Sequence, residues 1–238
     1  MGRSRQQAFE FQTWGGRREG AGRPPKGERS GVPHERRPAL SRHHPVHVTL
    51  RTVAEVGRLR TRDRYRIIRQ ALVTSFAASR SAGLCRIVHL SIQGNHLHLL
   101  VEAEDREALS RGVQGFEISC AKRINNAISQ QTGETRRGAV FADRFHAVQL
   151  KTPRQVRSCI AYVLSNWRRH GEPTARDAAL DAYATGWHFD GWAEALPAKD
   201  LDASSEILPV WFPKVWLLTQ GWRRHGPISA WHAPGPPS

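Results

Sequence analysis

The chain has 238 residues, enough for one sizeable domain with extensions or for two small ones. Its hydrophobic share of 39% allows a core, and no run of about 18 apolar residues is present, which excludes a membrane-crossing helix. The net charge is +15: ten basic and four acidic residues over 1–45, 21 and nine over 46–171, five and eight over 172–238.

The basic excess lies in the first two parts, and most of it is arginine. Arginine suits bidentate phosphate contact, so a polyanion is expected, with nucleic acid the default. An arginine-rich composition from a high-GC genome gives the same excess without such a partner, and charge alone does not separate the two. The first twenty residues carry no apolar stretch of the secretory type. Cys85, Cys120 and Cys159 are odd in number and widely spaced, as in a reduced protein without disulfides or a cysteine zinc site.

Residues 1–44 are rich in Arg, Gly and Pro and have no hydrophobic period, so a disordered basic arm is expected. Its "GRPPKG" stretch at 22–27 can lie in a minor groove or simply be solvated. "HVTLR" (47–51) alternates like a strand. Over 58–83, Tyr65, Ile68, Leu72 and Phe76 recur at helical spacing, and six arginines crowd the first turns. "LCRIVHLSIQG" (84–94) alternates, with Val88, Leu90 and Ile92 on one side. Gly94-Asn95 signals a type I′ hairpin into a second strand, 96–104. Residues 105–133 carry a helical stripe of Leu109, Val113, Phe116, Cys120, Ile124 and Ala127. A loop and strand follow over 138–151. The last helix, 152–171, has Thr152 as N-cap, Pro153 in its first turn and Gly171 as its stop.

The order β-α-β-β-α-β-α predicts an α+β, ferredoxin-like (RRM-like) fold. One antiparallel sheet carries two helices on one face, and a further C-terminal helix follows. The domain is expected over 45–171. Residues 172–238 hold six of the eight tryptophans and several prolines, and are expected to wrap over the core as an extension. "WRRHG" occurs twice, at 167–171 and 222–226, either by chance or as a second DNA-contacting corner.

"NHLHLL" (95–100) raises the chemistry. His96 and His98 are two apart in a strand and share a face, with Leu97 and Leu99 on the other. Side by side on an open sheet face they can hold one divalent cation, or they can be plain surface histidines of a hairpin. In the last helix Tyr162 and Asn166 are four apart and share a face. That face can reach across the sheet edge, bringing an amide oxygen as a third ligand and a phenol as nucleophile. Alternatively they are a half-buried Tyr and an Asn near a helix end.

Taken together, "VHLSIQGNHLHLLVE" (88–102), "GAVFADRFH" (138–146) and "YVLSNWRRH" (162–170) resemble the single-tyrosine, His-hydrophobic-His (HUH) transposases, most of all the REP-associated tyrosine transposase branch. The resemblance covers about 44–171. It implies that His96, His98 and Asn166 hold Mg²⁺ or Mn²⁺. It implies that Tyr162 attacks a phosphate of single-stranded hairpin DNA, leaving a 5′-phosphotyrosine and a free 3′-OH. The family usually places Pro just after the third ligand, and Trp167 stands there instead. Arg58, Arg60, Arg62, Arg64, Arg66, Lys122, Arg123, Arg144, Arg168 and Arg169 would hold DNA, about half of them being ordinary solvated charges. His89 and His146 can support the site or be structural. The setting implied is bacterial, cytoplasmic and nucleoid-associated, with no membrane partner, and the protein a monomer or homodimer. A pure binding module would need exposed aromatics on the histidine face, and the two hairpin strands have none there. The same residues also suit a DNA-binding regulator that has lost cleavage, or a nuclease that uses water and keeps Tyr162 for structure.

Overall fold

The structure, a computed structural model, describes residues 39–82, 84–169, 178–196 and 207–235. Most of the basic arm, Gly171 and the Phe76 side chain lie outside the described residues. The elements are β1 (Val46–Arg51), α1 (Arg62–Ala82), β2 (Cys85–Ile92), β3 (His96–Ala103), α2 (Arg106–Thr132), β4 (His146–Gln149), α3 (Pro153–Arg169) and a short α4 (Trp216–Thr219). The sheet order is β2-β3-β1-β4, antiparallel throughout, which is the ferredoxin-like arrangement.

Strand alternation sorts the residues onto two faces. Val46, Val48, Leu50, Leu90, Ile92, Leu97, Leu99 and Val101 form one core with Ile68 and Leu72 of α1 and with Leu109, Val113, Phe116, Cys120 and Ile124 of α2. The other face packs α3, through Val156, Ile160, Val163 and Leu164, and the C-terminal extension. The histidine face is therefore partly roofed rather than open. α3 lies over that face instead of reaching around the sheet edge.

Three local expectations give way. Val88 does not join Leu90 and Ile92. A bulge between Ile87 and His89 breaks the period, and Val88 sits with Leu100 in the α3-side core. The hairpin is tight, with Gln93 N–H donating to His96 O, but neither Gly94 nor Asn95 has the positive φ a type I′ turn requires. α1 also starts at Arg62, not 58. Arg60 is drawn into the protein, where its guanidinium donates to Ile92 O and makes a two-point ion pair with Asp181, each bond at 2.8 Å.

α2 has an Asp105 N-cap, whose carboxylate accepts from Ala108 N at 2.7 Å, and ends at Gly133 with φ 74°. Early in α2 the helix touches β2 closely. A Cβ on Gly112 would lie 2.3 Å from Cys85 Sγ. Gly112→Ala should cost roughly 1–3 kcal/mol through overpacking, more than the helix gains from alanine. A lowered urea midpoint, partly restored by adding Cys85→Ala, checks this.

The extension is strapped down by buried charges and by arginines that bond backbone carbonyls. Glu102, 1% exposed, pairs with Arg86 and accepts from Lys214 N and Val215 N, both at 2.8 Å. Arg157 donates to Gly226 O, Arg69 to Ile207 O, and Arg168 to Ala230 O and Ala178 O. Residues 183–184 and Trp211 bond the outer edge of β2 and so cover an exposed strand. The two "WRR" copies share a local device. Trp167 and Trp222 are buried, and each carries the next arginine over its ring, at 4.2 and 4.6 Å.

His89 is buried in the same seam, with Nδ1 3.2 Å from Thr185 Oγ1. Burial, then repulsion from His188, pushes its pKa from 6.5 down to about 4. The unfolded chain binds this proton near 6.5 and the folded chain near 4. Stability is therefore complete above the unfolded value and is lost as pH falls through that window. The loss should reach about 3 kcal/mol by pH 4. Urea unfolding at a series of pH values should show the fall, and His89→Gln should remove the part this ring contributes.

Candidate active site

β1 and β3 place the site by register. Thr49 faces His98, Arg51 faces His96, and Thr49 also faces His146 of β4. α3 lays Gln155, Cys159 and Tyr162 over these residues. The result is a cavity of about 730 Å³ lined by His47, Thr49, Arg51, Asn95, His96, His98, His146, Gln155, Cys159 and Tyr162, among others. A second hollow of about 570 Å³ shares Arg51, Asn95 and His96 with it and continues past Arg58 and Gly57. The two together form a cleft that runs off the end of the sheet.

Inside the cleft, His96 Nε2 and His98 Nε2 lie 3.0 Å apart. Two nitrogens each about 2.1 Å from one cation at a right angle would be about 3.0 Å apart, so the pair fits a shared divalent ion. The far nitrogens are engaged. His96 Nδ1 is 2.8 Å from Asn95 Oδ1, and His98 Nδ1 is 3.1 Å from His47 Nε2 and 3.3 Å from Thr49 Oγ1. Among the described residues no three of His, Cys, Asp and Glu gather at one point. A cation here therefore needs an amide, a hydroxyl or a substrate phosphate oxygen to complete its shell.

Tyr162 is half-buried, its ring centroid 5.0 Å from that of His98 and 5.8 Å from that of His47. Tyr162 and the histidine pair thus share one cavity. Asn166 is different. It is completely buried one helical turn further on and does not line the cavity, and neither atom of its amide has a partner. Such an orphaned amide is costly, about 1–3 kcal/mol per group. The continuous helix through Trp167 explains its position. Without a proline there, α3 runs on to Arg169, and Trp167 is anchored in the core.

Burial, with His146 adding repulsion, pushes the His47 pKa down to about 4, so this ring is neutral at pH 7. The three cysteines are free and buried. Burial raises all three thiols, Cys85 to about 12, so Cys159 in the cavity wall is no thiolate nucleophile.

The arginines divide. Arg60 is a buried ion-pair partner and stacks on Tyr183 at 4.5 Å. Arg64 is 8% exposed, and burial lowers its pKa. Arg123 donates to Thr74 Oγ1 and ties α2 to α1. Arg168 straps the extension between Trp167 and Trp231. Arg60, Arg123 and Arg168 thus have guanidinium contacts within the fold, and Arg64 is buried with its Nη1 unpartnered. Arg58, Arg62, Arg66, Lys122, Arg144 and Arg169 are exposed. Of these, Arg58 lines the cleft. Arg62, Arg66 and Lys122 sit on the helices that cover the opposite face of the sheet. Sequence reasoning missed His47, Thr49 and Arg51 of β1, although their alternation in "HVTLR" places all three on one face.

No helix among the described residues is long and apolar enough to cross a membrane. No curated protein matches the chain in sequence. Among solved structures it is similar to one described as the "Structure of the REP associates tyrosine transposase bound to a REP hairpin", at 15% identity and a TM-score of 0.49, over 65% of this chain and 82% of that one. A family model described as "Transposase IS200 like" matches residues 46–166, from the first residue of β1 to Asn166. The match takes in both histidines, Tyr162 and Asn166 and spans more than half of the sequence, and the chain therefore belongs to the IS200-like transposase family.

Proposed function

We propose that the protein cuts single-stranded DNA and transfers the strand through a covalent bond to Tyr162. The observation that carries this reading is the Tyr162 ring 5.0 Å from His98, in the cavity where two imidazole nitrogens converge to 3.0 Å. The Tyr162 oxygen attacks the scissile phosphorus, a phosphorus–oxygen bond forms, and the bond to the 3′ oxygen breaks. That oxygen leaves with a proton as a 3′-OH, and the DNA stays attached as a 5′-phosphotyrosine. Attack by another 3′-OH reverses the step and joins strands, so no outside energy source is required.

His96 and His98 would hold Mg²⁺ or Mn²⁺, with Asn166 proposed as third ligand through its unpartnered amide. When bound, the ion would withdraw charge from the phosphate and ease loss of the phenol proton. Arg51 and Arg58 lie where backbone phosphates would enter the cleft, and the exposed bases elsewhere add salt-dependent affinity. The sequence motifs extend the proposal to DNA that carries a hairpin, as at palindromic repeats, and to a cytoplasmic, nucleoid-associated setting.

The test mixes the full chain with hairpin-bearing single strands from the flanks of its own gene, with Mg²⁺ or Mn²⁺. A covalent protein–DNA adduct on a denaturing gel, absent when EDTA is added, is the expected result. Binding without an adduct on every flanking strand would replace the proposal with a silent hairpin-binding regulator.

A further inference from the structure

The two histidines of the motif do not settle their own protonation. A neutral imidazole has one N–H and one lone pair, and a metal takes the lone pair. For both Nε2 atoms to face one cation, both rings must carry their proton on Nδ1. For His96 this follows from Asn95, whose Oδ1 accepts at 2.8 Å. For His98 the acceptor has to come from another strand. His47 Nε2 is the nearer of its two partners, at 3.1 Å, against 3.3 Å for Thr49 Oγ1.

We infer that His47 is a positioning residue: its Nε2 accepts from His98 Nδ1–H, fixes the His98 tautomer, and leaves the His98 Nε2 lone pair turned towards His96. This requires His47 to be a neutral ring with its own proton on Nδ1. It is 6% exposed, as a neutral ring prefers. Its ring is held from two sides, with centroids 5.1 Å from His98 and 5.8 Å from Tyr162. Removing it would loosen the ligand and its contact with the tyrosine together. The site is thus set by three strand histidines, one of them 51 positions from the motif residue it orients. This role of His47 rests on the proposed metal-dependent reading, since it is the shared cation that requires both Nε2 lone pairs.

The test is therefore made with Mg²⁺ present, because at 3.0 Å two bare Nε2 lone pairs would repel and draw a proton between them. Long-range ¹H–¹⁵N correlation spectra of the full chain labelled in histidine report each tautomer directly, with His98 signals assigned by their loss in His98→Ala. The wild-type chain should show His98 protonated on Nδ1. In His47→Leu the His98 proton should move largely to Nε2, and Mn²⁺ affinity should fall about 10–100-fold. His47→Gln, whose Oε1 can accept, should restore most of both. Thr49→Val should change neither.

A wild-type His98 protonated on Nε2 overturns the inference without any variant. So does a His47→Leu chain with unchanged tautomer and Mn²⁺ affinity, or a tautomer that moves only in Thr49→Val. Should His47→Leu fail to fold, the wild-type spectrum and His47→Gln still decide. A chain with the expected tautomer but no Tyr162 adduct would defeat the strand-transfer proposal and leave the role of His47 standing.

Discussion

A Tyr162→Phe chain should form no covalent adduct with hairpin DNA while binding the same DNA with unchanged affinity. The substitution removes one oxygen and keeps the ring that packs edge-on against His98 and His47. The stability change should stay within about 1.5 kcal/mol, the net worth of one hydroxyl hydrogen bond. A melting curve and a binding isotherm close to wild type, next to a blank lane on the denaturing gel, would isolate the loss to the attacking atom. A hydrolytic nuclease predicts the opposite. Water would still attack a phosphate held at the histidine pair, and cleavage would survive in the Phe chain. That result would reduce Tyr162 to a packing residue.

Asp181→Ala should be the most destabilising single change in the extension. Asp181 and Arg60 are 1% and 3% exposed at their side chains and form a two-point pair. Taking away the carboxylate leaves a guanidinium buried without its counter-charge, still bonded to Ile92 O and stacked on the Tyr183 ring. Breaking a buried pair from one side costs about 3–5 kcal/mol. For a chain of this size that is a fall of about 6–20 °C in the thermal midpoint. Tyr183 N also bonds Asp181, and Tyr183 O accepts from Ile92 N, so the cover on the β2 edge should loosen as well. Limited proteolysis should then cut within the extension before the sheet. Arg60→Met with Asp181→Leu should recover much of the loss, because an apolar pair of similar volume leaves no charge behind.

The burial of Arg60 bears on how the +15 charge is used. A count of arginines suggests a surface for polyanions, yet Arg60, Arg64, Arg123 and Arg168 are spent inside the protein or along its seams. Arginine suits this work because its fork reaches two carbonyls or a whole carboxylate at once. The same property made these positions resemble phosphate contacts in the sequence.

Local pattern alone determined the order of elements, because each strand and helix carries its own period and its own stops. Thr152 with Pro153 and the Leu-Val-Phe-Cys-Ile stripe of α2 are short-range signals that tertiary packing did not override. It also determined which residues share a face, and so which could meet: His96 with His98, and Tyr162 with Asn166. Where neighbours in sequence do not set the outcome, only the tertiary structure decided. The bulge that turns Val88 over depends on pairing with β3, and the hairpin's negative φ angles depend on how that pair closes. The late start of α1 depends on Asp181, a partner 121 positions away. Whether α3 crosses the edge or roofs the histidine face, and that Tyr162 lines the cavity while Asn166 does not, follow from Val88, Leu100 and Trp222 forming a second core beneath it. The part of His47 follows from strand register, since β1 must lie beside β3 before its ring can meet His98.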